Sequence, residues 1–332
     1  MKEPEYSKLV KYRRNGLVEQ IHTGIIIHMN KNGIINKIGN DNNYKFYHRS
    51  CMKPLQFSPV IDLNIDKKYN LSLEEIAVCC ASHTGDTIHQ EIIRNILKKA
   101  NFTEDDLLCL PHEPLSKDEQ KRLIINNTKP QKIHNNCSGK HSAMLLICKE
   151  LGFDTKNYKD FQNSLSEFII KQVCKLCEIS KDETIISKDG CGLPVIATTL
   201  EQLGRGFLNL FCNEKYLKIK NAFLKNPYLI GGNYRLDSEI INTAKNLIAK
   251  VGACGLCVVV NTEKEECIVV KIADSNMEAR SIAAIDTLLQ LKWLDYCNFS
   301  SQMNNIYCKD IVSQDNVVLG DIFSCFDIKQ MF

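Results

Sequence analysis

Stretches rich in β-branched residues lie mainly near the two ends of this 332-residue chain, and most of what lies between repeats with a helical period. Gly24–Ile27 and Ile34–Ile35 flank Asn30-Lys31-Asn32-Gly33, so residues 22–38 read as a hairpin with an Asn-Gly turn. Leu256–Val260 and Cys267–Lys271 repeat the arrangement around polar residues 261–266. Between them, Ser72–Glu75 and Ser116–Glu119 read as capping boxes. Helical patterns follow the first box through 77–81, and then cover 87–99, 138–151, 160–178, 195–204, 214–225 and 238–249, with a short strand over 184–187. A last helical pattern covers 277–294, and residues 300–332 carry no assignable period. This order predicts an α/β fold with an antiparallel sheet built from both termini and a helical insertion. The expected division of a single catalytic domain, 1–332, is an α/β part over about 1–50 and 250–332, and a mainly helical part over about 51–249.

A formal net charge of +3, with no long basic run, gives no reason to expect a nucleic-acid partner. No apolar run approaches the roughly 20 residues of a membrane span. The first residues, Met-Lys-Glu-Pro-Glu-Tyr, show no apolar leader, so a cytoplasmic protein is expected. The 16 cysteines agree, because Cys79, Cys80, Cys148 and Cys257 fall in apolar runs where free thiols pack as small hydrophobes. Cys174 and Cys177 have zinc or redox spacing, but without a second pair they read as two helix positions.

Residues 134–144 concentrate chemistry. A thiol, an ammonium, two imidazoles and two amides precede an apolar helix that Gly152 can end, with Ser138 as its N-cap. Upstream, Ser50 and Lys53 stand one turn apart, and Pro54 confines them to a helix start. A lysine one turn from a serine can act as its base when desolvated beside other cations. Ser82, at a helix–loop junction, and Lys271, on the late strand, are candidates for a second such pair. Cys137, Lys140 and Cys191 could take a soft metal, or the two cysteines could be reduced thiols. Asp189-Gly-Cys-Gly-Leu-Pro194 reads as a tight loop.

Arg49-Ser-x-x-Lys-Pro-x-Gln56, Ser82-His-x-Gly-Asp-x-x-His89 and Asn136-Cys-Ser-Gly-Lys-His141 are followed by Asp189-Gly-Cys-Gly-x-Pro194, Arg235-x-Asp237 and Lys271-x-x-Asp274. In this order they resemble the rhizobial-type L-asparaginases over roughly residues 15–300. The resemblance implies a serine β-lactamase and penicillin-binding-protein-like fold, a homodimer, and hydrolysis of L-asparagine to L-aspartate and ammonia. It implies Ser50 as nucleophile with Lys53 as base, Ser82 and Lys271 as the second pair, and zinc on Cys137, Lys140 and Cys191. Arg49, His141 and Asp189 would line the substrate site, while His83, His89 and His134 are expected to be structural. Three departures stand out: Cys254 where the family has Glu, Ser275 where it has Gly, and Asp86 where Glu is commoner. Glutaminase or another Ser-Lys acyl hydrolase is the neighbouring alternative. An inactive cysteine-rich metal or redox sensor is the alternative of another class.

Overall fold

The computed structural model describes residues 2–329. The chain divides into two compact units, one formed by 1–51, 198–208 and 233–332, the other by 52–197 and 209–232.

The first unit is built on an eight-stranded antiparallel sheet. Its strands are β1 (Ser7–Arg14), β2 (Leu17–Asn30), β3 (Gly33–Ile38), β4 (Leu247–Gly252), β5 (Leu256–Asn261), β6 (Glu266–Ile272), β7 (Asp310–Val312) and β8 (Val318–Ser324). Their order is β7-β8-β1-β2-β6-β5-β4, and β3 also pairs with β2. The 14-residue β2 serves several neighbours: residues 17–24 pair with β1, 26–30 with β3, and 24–30 with β6. Strands from the N-terminus therefore sit between two groups of C-terminal strands, as a sheet built from both termini requires. Ile25–Ile27, Val258–Val260 and Ile268–Val270 are completely buried. Each such side chain contributes roughly 1.5–3 kcal/mol relative to exposure.

The second unit is mainly helical. Leu73–Cys80 packs against Ser138–Leu151 and Leu217–Lys225, and Lys53–Asp62 packs against Ser164–Leu176. Gly139 permits the first of these contacts, since a Cβ there would lie 2.3 Å from the Val78 carbonyl oxygen. Cys79, Cys80 and Cys148 are fully buried in this core, and all 16 cysteines of the chain are free. A hairpin, Ile185–Lys188 with Pro194–Thr198, projects the loop 189–193.

Several local expectations need correction. Residues 195–198 are strand, because the hairpin pairs Ile185 with Ala197. The helix expected over 238–249 is Leu236–Thr243, and 247–252 is β4. Ser116 caps its helix, but Glu119 does not return to the cap. Its carboxylate instead takes Arg122 and Gln90, so the box is one-sided. Cys137, not Ser138, occupies the cap position of the next helix, which Gly152 ends.

Candidate active site

In the helical unit, Pro54 lies in the first turn of the helix that Lys53 opens. The Lys53 side chain is buried, and its Nζ reaches Ala81 O at 2.7 Å, Ser82 Oγ at 3.0 Å and Asn136 O at 3.0 Å. Two carbonyls and one hydroxyl thus accept from this buried nitrogen. Three residues on, Gln56 Nε2 donates to Pro194 O at 3.1 Å, tying this helix to the hairpin loop.

Ser82 is held from behind. Its backbone N–H donates to Ile230 O. The following residue, His83, is fully buried and stands between two loops: its Nδ1 accepts from Gly85 N, and its Nε2 lies 3.1 Å from Ser138 Oγ. Ser138 gives its own proton to Ile133 O, so His83 carries hydrogen on Nε2. Burial holds this imidazole far below its ordinary value, so it stays neutral. His89 stacks on His83 and donates from Nδ1 to Asp86 at 2.7 Å. Both rings are buried, His83 in the loop and His89 in the first turn of the helix that follows it.

Cys137, Lys140 and Cys191 come together in the same unit. The Cys137 thiol donates to Asn136 Oδ1 at 3.2 Å, and its interaction with Cys191 pushes Cys137 up and Cys191 down. Burial would lower the Lys140 ammonium, but Cys191, Cys137 and Asp189 hold it above its ordinary value. His141 Nδ1 is 2.7 Å from Tyr158 Oη, while its Nε2 is buried without a hydrogen-bond partner. Burial keeps that ring below its ordinary value, against the opposing pull of Cys191. Asn135 Oδ1 accepts from Cys137 N and its Nδ2 donates to Leu110 O, so this amide satisfies backbone at the turn, whereas the Asn136 side-chain oxygen accepts from Cys137 Sγ. Asp189 and Leu193 close the hairpin loop through a 2.9 Å backbone bond. Among the described residues, no group of three or more His, Cys, Asp or Glu side chains is placed to hold a metal. Two interacting cysteine sulfurs and one orphaned imidazole nitrogen suit a soft divalent ion, which the Lys140 ammonium could join only on losing its proton.

Tyr158 and Cys109 were not legible as site residues. Tyr158 is fully buried, anchored by Leu108 N, and fixes the His141 ring. Cys109 lies near enough to Cys191 for that sulfur to push its thiol up, after burial, to about 12. Neither sits in a motif, and only the fold brings them near.

In the sheet unit, Arg49–Met52 forms a 3₁₀ turn that runs into the Lys53 helix. Arg49 has φ 48°, a left-handed conformation uncommon outside glycine. Its guanidinium donates to Cys254 Sγ at 3.3 Å. Lys271, near the end of β6, is buried below the Phe46 ring, with Nζ bonded to Ile272 O. Burial lowers its pKa, with Cys254 and Asp274 pulling the other way. A cavity of about 230 Å³ is lined by Phe46, Tyr47, Arg49, Cys254 and Lys271 among others. The departure at 254 therefore faces two of the expected site residues. A glutamate there would pair with Arg49, whereas cysteine is a weak acceptor.

The L-asparaginase II family model matches residues 10–323, and the chain belongs to this family of asparaginase-type amidohydrolases. Among solved structures, the chain is similar to a β-lactamase from Mycobacterium bovis. The two are 13% identical, with 82% of this chain and 95% of that chain covered, at a TM-score of 0.43. No match was found among curated proteins.

Proposed function

We propose that the protein is an L-asparaginase that works through an acyl-enzyme on Ser50. The observation that carries this reading is the Lys53 amine, buried one turn after Ser50 with two carbonyls and a hydroxyl around Nζ. Ser50 Oγ attacks the side-chain amide carbon of asparagine as Lys53 takes its proton. The tetrahedral intermediate collapses, the amide nitrogen takes a proton and ammonia leaves. Water then cleaves the aspartyl ester, releasing aspartate and Ser50. Ser82 serves as the proton relay to Lys53, and Lys271 is its partner in the second Ser-Lys pair. Arg49, His141 and Asp189 recognise the charged ends of the substrate. Cys137, Lys140 and Cys191 would hold zinc, for which Lys140 must first give up its proton. Zinc, when bound, supplies a fixed positive centre that orders the two loops and orients substrate. The reading further makes the protein a cytoplasmic homodimer.

Ammonia release from L-asparagine, L-glutamine and a chromogenic β-lactam, measured side by side, tests the assignment. Asparagine turnover should dominate and should vanish in Ser50→Ala. Faster glutamine or β-lactam turnover would move the protein to a neighbouring acyl hydrolase. No turnover of any of the three would favour a non-catalytic role.

A further inference from the structure

The steps above leave one buried ion pair without a task. Lys250 and Asp237 are both at zero exposure, with Nζ and Oδ2 3.2 Å apart. Burying two charges costs several kcal/mol per ion, and a well-packed apolar pair is often as stable or more so. Stability alone therefore does not account for the pair. Nor is it perfectly satisfied: Asp237 Oδ1 and the neighbouring Arg280 Nε are buried without hydrogen-bond partners.

Its placement suggests a reason. β4 is the last strand in the sheet order, and its final three residues are held by side chains and by the turn that carries Ser50. Asp237 Oδ2 accepts from Val251 N at 3.2 Å, and Lys250 Nζ donates to Val251 O at 3.0 Å. Arg280 Nη1 donates to Gly252 O at 3.3 Å. The segment so fixed receives the turn: Cys51 Sγ donates to Lys250 O at 3.3 Å, and Gly252 lies against Cys51 and His48. A Cβ on Gly252 would sit 3.0 Å from Cys51 Sγ and 3.2 Å from His48 O. His48 O in turn accepts from Cys51 N, across the two residues Arg49 and Ser50. Any shift of residues 250–252 is thus passed to Ser50 through Cys51 and His48.

We propose that the Lys250–Asp237 pair positions Ser50 by fixing the β4 segment on which the Arg49–Met52 turn rests. The inference depends on Ser50 being the nucleophile. An error of about 1 Å in a reacting group can cost roughly a hundredfold in rate, so a rigid seat has catalytic value that packing alone lacks.

The test compares full-length wild type, Lys250→Met/Asp237→Leu, Gly252→Ala and Ser50→Ala. Melting temperature, kcat and KM for asparagine are measured below the melting transition. The double variant removes both charges together, so the melting temperature should stay close to wild type or rise. Its kcat should fall at least about tenfold with KM within about twofold, the signature of a misplaced reacting group rather than weakened binding. Gly252→Ala keeps both charges and displaces the turn directly, and should show the same split. A folded double variant or Gly252→Ala with wild-type kcat overturns the proposal. If the double variant does not fold, Gly252→Ala decides. Ser50→Ala separates the two claims, because substantial activity there removes the nucleophile reading itself, and the positioning role with it.

Discussion

Lys53 Nζ donates to three acceptors, Ala81 O, Asn136 O and Ser82 Oγ. To serve as the base for Ser50 it must first give up a proton. Lys53→Met should lower kcat by about 10²–10⁴-fold while leaving the fold intact, as steady-state ammonia release and circular dichroism would show. A second residue-scale prediction concerns pH. Burial favours the neutral form of Lys271, so its ammonium deprotonates below the ordinary lysine value. Activity that needs the neutral amine should rise with pH through that lowered value. Cys254→Glu would place a carboxylate where Cys254 already acts on Lys271, favouring the ammonium and moving this limb to higher pH. A pH–rate profile of kcat checks the direction, and an unmoved limb would detach Lys271 from catalysis. At this scale Lys53 and Gln56 were legible as fixed-spacing motif positions, and both side chains are buried and hydrogen-bonded. Tyr158 was not legible, because it lies in no motif, 17 positions from His141 and beyond the end of the Ser138–Leu151 helix.

The helix Thr87–Lys99 begins at Asp86, whose side chain accepts from His89 N and His89 Nδ1, and from the hydroxyls of Thr84 and Tyr228. Burial would raise this carboxyl, but the His89 hydrogen bond and charge, with Tyr228, outweigh it and hold the value below the ordinary one. Asp86→Ala should cost about 1–2 kcal/mol for the lost cap, and more for stranding the His89 and Tyr228 donors. The sign with pH follows from the lowered value. The carboxylate's contribution is complete above the unfolded carboxyl value, about 3.9, and is lost as pH falls through the lower folded value. Denaturant melts of wild type and Asp86→Asn across the acid range should therefore converge as pH drops. Elements with a local signal were readable, such as the Asn30–Gly33 hairpin and the Ser72 cap. β4 was misread as helix because Leu247–Gly252 is buried along its whole length. A strand buried on both sides loses the alternation that distinguishes it from a buried helix. β1, β7 and β8 escaped notice although β1 pairs with the adjacent β2 across Asn15-Gly16 and β7 with the adjacent β8, because these strands are only partly buried and carry no run of apolar residues.

For the molecule as a whole, the proposed function gives metal and nucleophile separate roles. With the serine system supplying the attack, chelation should raise KM for asparagine and leave much of kcat, the pattern of lost uniform binding. Elemental analysis must accompany the kinetics. A folded, metal-free enzyme without turnover at saturating substrate would make the metal catalytic. Light scattering should give twice the 37.8 kDa chain mass if the homodimer forms. The sheet built from both ends was legible because strand periods cluster there. The path of residues 198–208 and 233–249 into the sheet unit was not, since helices of either unit share one period. The most direct measurement of the central claim is mass spectrometry of full-length enzyme quenched during asparagine turnover. The account predicts a single aspartyl increment on the peptide bearing Ser50, absent from Ser50→Ala. An increment on Ser82, or sustained turnover by Ser50→Ala, would contradict it.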